Sequence, residues 1–155
     1  MYGVIEMVII TITAFVLIAA IIFIPKRISY LEMYTTSLFA AFLGSFVDLY
    51  LDVKLHLYGF LTKGVNWGYI FILLIIYPAA NILYLNFYPY QSRMGKKALY
   101  IISWSLVILC FEYFALQTKI FYYGNWRLGY SAILYPFILM LLTLNHSFIR
   151  KLSRN

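Results

Sequence analysis

The chain has 155 residues, of which 65% are hydrophobic, 21% aromatic and only 11% charged. A soluble domain carries roughly 25% charged residues, so this composition excludes a water-soluble globule and leaves no room for a second domain: residues 1–155 read as one integral membrane unit. The net charge of +7 is scattered in twos and threes, which suits loops beside anionic headgroups and excludes nucleic acid as a partner.

The first apolar run covers residues 4–24 and stops at Pro25-Lys26-Arg27. Its acid, Glu6, stands at the start of the run and its bases follow the end, the reverse of a cleaved signal peptide, so the sequence predicts an uncleaved first helix. Residues 28–34, with Glu32, read as a short connection. The second span, 35–53, carries Asp48 and Asp52 on one face with Gly44 and Ser45, since residues three and four apart stack on a helix. The third, 67–87, contains Pro78, and a basic loop with Arg93, Lys96 and Lys97 follows it. The fourth, 98–118, holds Glu112 and Cys110, the one cysteine, which excludes a disulfide framework. The fifth, 130–148, contains Pro136 and His146, the latter placed to meet headgroups or a neighbouring helix. Either proline frees a backbone carbonyl and predicts a bend.

Short-loop bases set orientation. Lys26, Arg27, Arg93, Lys96, Lys97, Arg150, Lys151 and Arg154 gather on one side, and Lys54, Lys63, Lys119 and Arg127 on the other. Eight against four predicts an N-terminus outside and a C-terminus inside. Trp67, Tyr69, Trp126 and Tyr130 mark one interface, and Phe87, Tyr88 and Tyr90 the other.

Two connections resemble each other at an offset of 65 residues: Asp52-Val53-Lys54-Leu55-His56-Leu57-Tyr58-Gly59 aligns with Gln117-Thr118-Lys119-Ile120-Phe121-Tyr122-Tyr123-Gly124. An Asn-Trp pair (66–67, 125–126), a Tyr-Pro pair (77–78, 135–136) and an asparagine (Asn86, Asn145) follow in each. Spans two and four run in the same direction, which permits a parallel duplication about an axis along the membrane normal. The expected fold is therefore an all-α membrane protein of five transmembrane helices, one leading helix plus two helical hairpins. Glu112 then aligns one residue from Asp48.

A carboxylate facing hydrocarbon costs several kcal/mol, so intramembrane acids turn towards a bundle interior or a wet cavity. Asp48 and Glu112 are expected to face one shared polar site, with Asp52, Ser45, Tyr50 and Tyr113 as further oxygens. Two acids brought together cannot both ionise cheaply, so such a site suits a cation, a proton or a small polar ligand. Lys54, Lys119 and Arg127 lie on the same side, and a salt-bridged rim built from them is the competing expectation. Asp48, Asp52 and His56 are spaced four apart, as metal ligands on a helix would be, but the helix is expected to end near Lys54, so no metal is assigned. Ala40-x3-Gly44 is a small-residue pair that lets helices approach closely, within the chain or in a homo-oligomer or a complex with a partner membrane protein. No phosphate-binding glycine loop, catalytic triad or paired zinc motif occurs, so neither enzyme activity nor a cofactor is expected. Gly44-x3-Asp48-x3-Asp52 echoes half of the motif of the CDP-alcohol phosphatidyltransferases, but Ile28-Ser29-Tyr30-Leu31-Glu32 stands where the metal-binding half would be, which excludes that activity.

Phe46-Val47-Asp48, Tyr77-Pro78-Ala79-Ala80-Asn81, Asn86-Phe87-Tyr88-Pro89 and Asn125-Trp126 together resemble an uncharacterised family of small multi-pass membrane proteins of spore-forming Firmicutes, of the Bacillus and Clostridium type. The resemblance implies an α-helical bundle in a bacterial cytoplasmic membrane and transfers no catalytic residue. The expected function is binding or passage of a cation, proton or small polar ligand at the acidic site; the alternative is a structural or assembly subunit acting through helix contacts alone.

Overall fold

The computed structural model describes residues 3–62 and 66–153; Lys63 and Arg154, counted above among the bases, lie outside the described residues. Among the described residues, five helices are long and apolar enough to cross a bilayer: α1 Val4–Phe23, α2 Tyr30–Lys54, α3 Trp67–Phe87, α4 Met94–Gln117 and α5 Leu128–Leu152. Their outward faces carry Phe15, Phe42, Leu106 and Phe137, all exposed, the surface that hydrocarbon rather than water solvates. α2 packs against α3 and α5, α4 against α5, and α1 against α3. The core between them includes Ala40, Tyr84, Leu85, Leu139 and Leu142.

Three helix ends depart from the sequence expectation. α2 begins at Tyr30, not near residue 35, because Ser29 and Glu32 form a capping box: the Ser29 hydroxyl accepts from the Glu32 N–H and the Glu32 carboxylate accepts from the Ser29 N–H. Residues 30–34 are therefore helix, and Glu32 is buried. At the same end α4 starts at Met94 and α5 runs on to Leu152, so Lys96, Lys97, Arg150 and Lys151, read as loop residues, sit on helix termini.

The connections after α2 and α4 are not plain loops. Tyr58–Phe60 (β1) and Phe121–Tyr123 (β2) pair antiparallel, with Tyr58 opposite Tyr123 and Phe60 opposite Phe121. Each strand is too short for its period-2 pattern to show in the sequence. Past the paired residues the Gly124 N–H donates to the Leu57 carbonyl at 2.8 Å. A Cβ on Gly124 would lie 2.6 Å from the His56 carbonyl oxygen, part of a backbone that cannot swing aside, so glycine is required there. The resulting ribbon crosses one end of the bundle; Lys26, Arg27, Arg93, Lys96 and Lys97, with Arg150 and Lys151, lie at the opposite end.

Two segments wind with i→i+5 bonds: Leu49–Lys54, ending α2, and Ile72–Ile76 within α3. The second contains Leu74, the residue whose carbonyl the Pro78 ring would strike in a regular helix, and the wider turn keeps α3 continuous. Pro136 sits inside an uninterrupted α5. Ala40 and Gly44 bring α2 close to α3: a Cβ on Gly44 would run into the Tyr77 ring.

Candidate functional site

Asp48 is 4% exposed and Glu112 6%, so neither faces lipid. The cost of burying each carboxylate is offset by hydroxyl donors. Asp48 Oδ1 accepts from the Tyr58 hydroxyl at 2.7 Å, and Oδ2 from Tyr77 at 3.2 Å and Tyr69 at 3.4 Å. Glu112 Oε1 accepts from Tyr123 at 2.6 Å and Ser131 at 2.7 Å, and Oε2 from Tyr135 at 2.8 Å. Trp126 Nε1 in turn donates to the Ser131 hydroxyl at 2.8 Å. In each set the acid lies on a rising helix, one tyrosine comes from the ribbon, and another precedes the proline of the following helix.

Local geometry explains how these donors converge. Ser131 and Tyr135 are four apart and share one face of α5. Tyr69 and Tyr77 are eight apart, one residue more than two regular turns of about 3.6 residues each. The Ile72–Ile76 segment takes up that extra residue and returns both hydroxyls to Asp48. Wide turns of this kind recur at functional sites.

Both carboxylates line one cavity of about 360 Å³ beneath the ribbon, to which all five helices contribute. Its walls are mostly apolar. The two acid sets meet at its roof, where the Tyr58 and Trp126 rings stand edge to face at 5.6 Å. One turn beyond Tyr77 on α3, Asn81 also lines the cavity. Asn81 is 4% exposed and neither atom of its side-chain amide has a hydrogen-bond partner.

The structure thus brings Asp48 and Glu112 to one chamber and leaves out the other expected oxygens. Tyr50 and Tyr113, two residues and one residue from the acids, point away from them and are 48% and 57% exposed. Asp52 and Ser45 are half-buried but outside the chamber wall. The salt-bridged rim does not form: among the described residues, only Arg150 and His146 approach a carboxylate within 4.0 Å, and both do so at Glu32. Lys54 lies over the Tyr50 ring instead. His56 has left the helix with φ 52°, so it does not stack beneath Asp52, and among the described residues no group of three His, Cys, Asp or Glu side chains converges.

Sequence reasoning missed the donors Tyr69 and Ser131 and the orphan Asn81. It had aligned Tyr58 with Tyr123 and Tyr77 with Tyr135, and that alignment was the signal available for them. It also missed a second polar network at the end opposite the ribbon. There Glu32 Oε1 accepts from Arg150 Nε at 2.9 Å, with His146 Nε2 at 3.4 Å. His146 Nδ1 meets the Tyr90 hydroxyl, and the Arg150 guanidinium lies over the Tyr90 ring. His146 therefore meets neighbouring helices rather than headgroups.

Burial, and after it the Asp48 carboxylate, hold the Tyr58 hydroxyl protonated far above its ordinary value of 10.0. Burial and the Glu112 carboxylate do the same for Tyr123. In the unfolded chain these tyrosines ionise near their ordinary value while the folded ribbon keeps its protons. The unfolded state then binds fewer protons, so stability is full below about pH 10 and falls as pH rises beyond it. Thermal unfolding followed by tryptophan fluorescence should show a midpoint that drops between about pH 9.5 and 11; a midpoint unchanged through that window would contradict the buried donors.

Comparison with protein-family models, with curated proteins and with solved structures finds no match to this chain.

Proposed function

We propose that the protein binds a monovalent, N–H-bearing cation in the chamber that Asp48 and Glu112 share. The observation that carries this reading is that two buried carboxylates line one cavity while neither has a base within ion-pair distance among the described residues. Hydroxyl donors orient the carboxylates but do not cancel their charge, so a proton or a cation has to offset it. The chamber suits an ammonium better than a hard divalent ion. Divalent ions demand six or more oxygens, whereas an ammonium is satisfied by carboxylates and the faces of rings such as Tyr58, Tyr77 and Trp126.

The reading is tested with methylammonium and the protein in lipid nanodiscs. Asp48→Asn and Glu112→Gln keep side-chain size and a hydrogen-bonding group for the tyrosines, and each should weaken binding at least about tenfold. Unchanged affinity in a folded variant overturns the proposal, and so does wild-type protein that takes up no methylammonium.

We further propose that the ribbon end faces outside and the basic end the cytoplasm of a bacterium, in its cytoplasmic membrane, as the eight-to-four distribution of bases and the spore-former family resemblance suggest. The twofold recurrence of acid, ribbon tyrosine and Tyr-Pro supports an internal duplication, with the Tyr58–Tyr123 pair on its axis. Against it stands the Asn-Trp pair, since Asn66 caps α3 with Trp67 exposed whereas Trp126 joins the Glu112 set.

One observation favours a second reading, a structural or assembly subunit. Three hydroxyls fasten each carboxylate, which ties each hairpin and the ribbon together whether or not a ligand enters. On that reading the same variants lower the unfolding temperature, and the wild-type protein binds no cation.

A further inference from the structure

Three features of the chamber are left unused by a small cation. The walls below the roof are apolar, which a hydrated ion does not need. Asn81, buried and aimed into the cavity, offers a donor and an acceptor with nothing to receive them. Finally, α1 packs on α3 while α4 packs on α5 and the ribbon. Val107, Phe111 and Phe114 of α4 line the chamber and are still 45%, 58% and 52% exposed. Ile9 and Thr13 of α1 line the same chamber. The wall between α1 and α4 is therefore thin and borders hydrocarbon.

We propose, resting on the cation reading above, that the ligand is an aliphatic amino alcohol that enters from the lipid between α1 and α4. A primary ammonium carries three N–H donors. An ionised carboxylate has about four acceptor positions, of which three are taken on Asp48 and three on Glu112. One position on each acid and Asn81 Oδ1 make three acceptors. Asn81 Nδ2 then faces the hydroxyl beside the charge. The alkyl chain fills the apolar remainder; a cavity of about 360 Å³ lies in the range of small-molecule sites and takes a tail of roughly eight carbons. A polar head that must leave water and a tail already at home in lipid make sideways entry the low-cost route.

The test measures equilibrium binding to the protein in nanodiscs against the free aqueous concentration, with uptake by empty nanodiscs subtracted. Four probes are compared: methylammonium, octylammonium, 2-amino-1-octanol and octanoate. Octylammonium should bind at least about tenfold more tightly than methylammonium, 2-amino-1-octanol more tightly again, and octanoate not measurably. Asn81→Leu should erase the preference for the amino alcohol over octylammonium while keeping the preference for the tail. Val107→Trp should slow association of the octyl probes more than that of methylammonium, and equal slowing of both overturns entry from the lipid between α1 and α4. Equal binding of methylammonium and octylammonium overturns the amphiphile and leaves the cation reading standing. Octanoate bound as tightly as octylammonium, or no amine bound at all, overturns both. An amino-alcohol preference that survives in folded Asn81→Leu removes Asn81 from the site and with it the assigned ligand class.

Discussion

Tyr84→Ala should cost about 3–5 kcal/mol of stability, the range for emptying a large aromatic site in a packed core. Tyr84 is 1% exposed and stands where α3, α4 and α5 meet. Its ring stacks on Tyr100 at 5.6 Å and meets Trp104 and Tyr88 edge to face at 5.8 and 5.9 Å. Its hydroxyl bonds the Leu139 carbonyl at 3.2 Å and the Thr143 hydroxyl at 2.7 Å. Alanine removes the ring that fills this junction and both hydrogen bonds at once. Tyr84→Phe isolates the second contribution and should cost only about 1 kcal/mol. Unfolding titrations in mixed detergent micelles measure both; a Tyr84→Ala loss no larger than that of Tyr84→Phe would contradict the packing role.

Glu32→Ala should cost about 3 kcal/mol, the lower end of what breaking a buried ion pair costs, because Arg150 keeps some access to solvent. The carboxylate does three things that alanine cannot. It closes the capping box at the start of α2, holds Arg150 at 2.9 Å and faces His146 at 3.4 Å. Its loss leaves the Ser29 N–H without its acceptor and a guanidinium without its counter-charge. Arg150→Met should be milder, since Glu32 keeps the Ser29 N–H and its place opposite His146. The same unfolding titration, with Glu32→Ala close to wild type, would show that the network at this end carries no stability.

How much of this was legible follows from what each feature depends on. The five helices depend on composition over about twenty residues, which any window along the chain displays. Asp48 and Glu112 stood out because an acid in an apolar run is costly wherever it points. Their partners did not stand out. A tyrosine in an aromatic-rich membrane chain is unremarkable until its hydroxyl is known to reach a carboxylate 10 to 29 residues away. The expectation that Lys54, Lys119 and Arg127 would neutralise the acids followed from charge alone, whereas hydroxyl donors serve a buried carboxylate without burying a second charge. Glu32 was misplaced for another reason: Ser29-x-x-Glu32 is a legible capping box, but its partner Arg150 is 118 residues distant, a separation no local pattern spans. Asn81 lay inside a quoted motif, and only the cavity around it distinguishes it from any other polar residue in a span.

The shared chamber is tested most directly by a double-mutant cycle on methylammonium affinity in nanodiscs, using Asp48→Asn, Glu112→Gln and the two combined. If one cation sits between both carboxylates, each single change removes most of the binding and the double change adds little, a coupling of at least about 1.4 kcal/mol, or tenfold. Two losses that simply add, with no coupling in the folded variants, would mean that the carboxylates do not hold one cation between them.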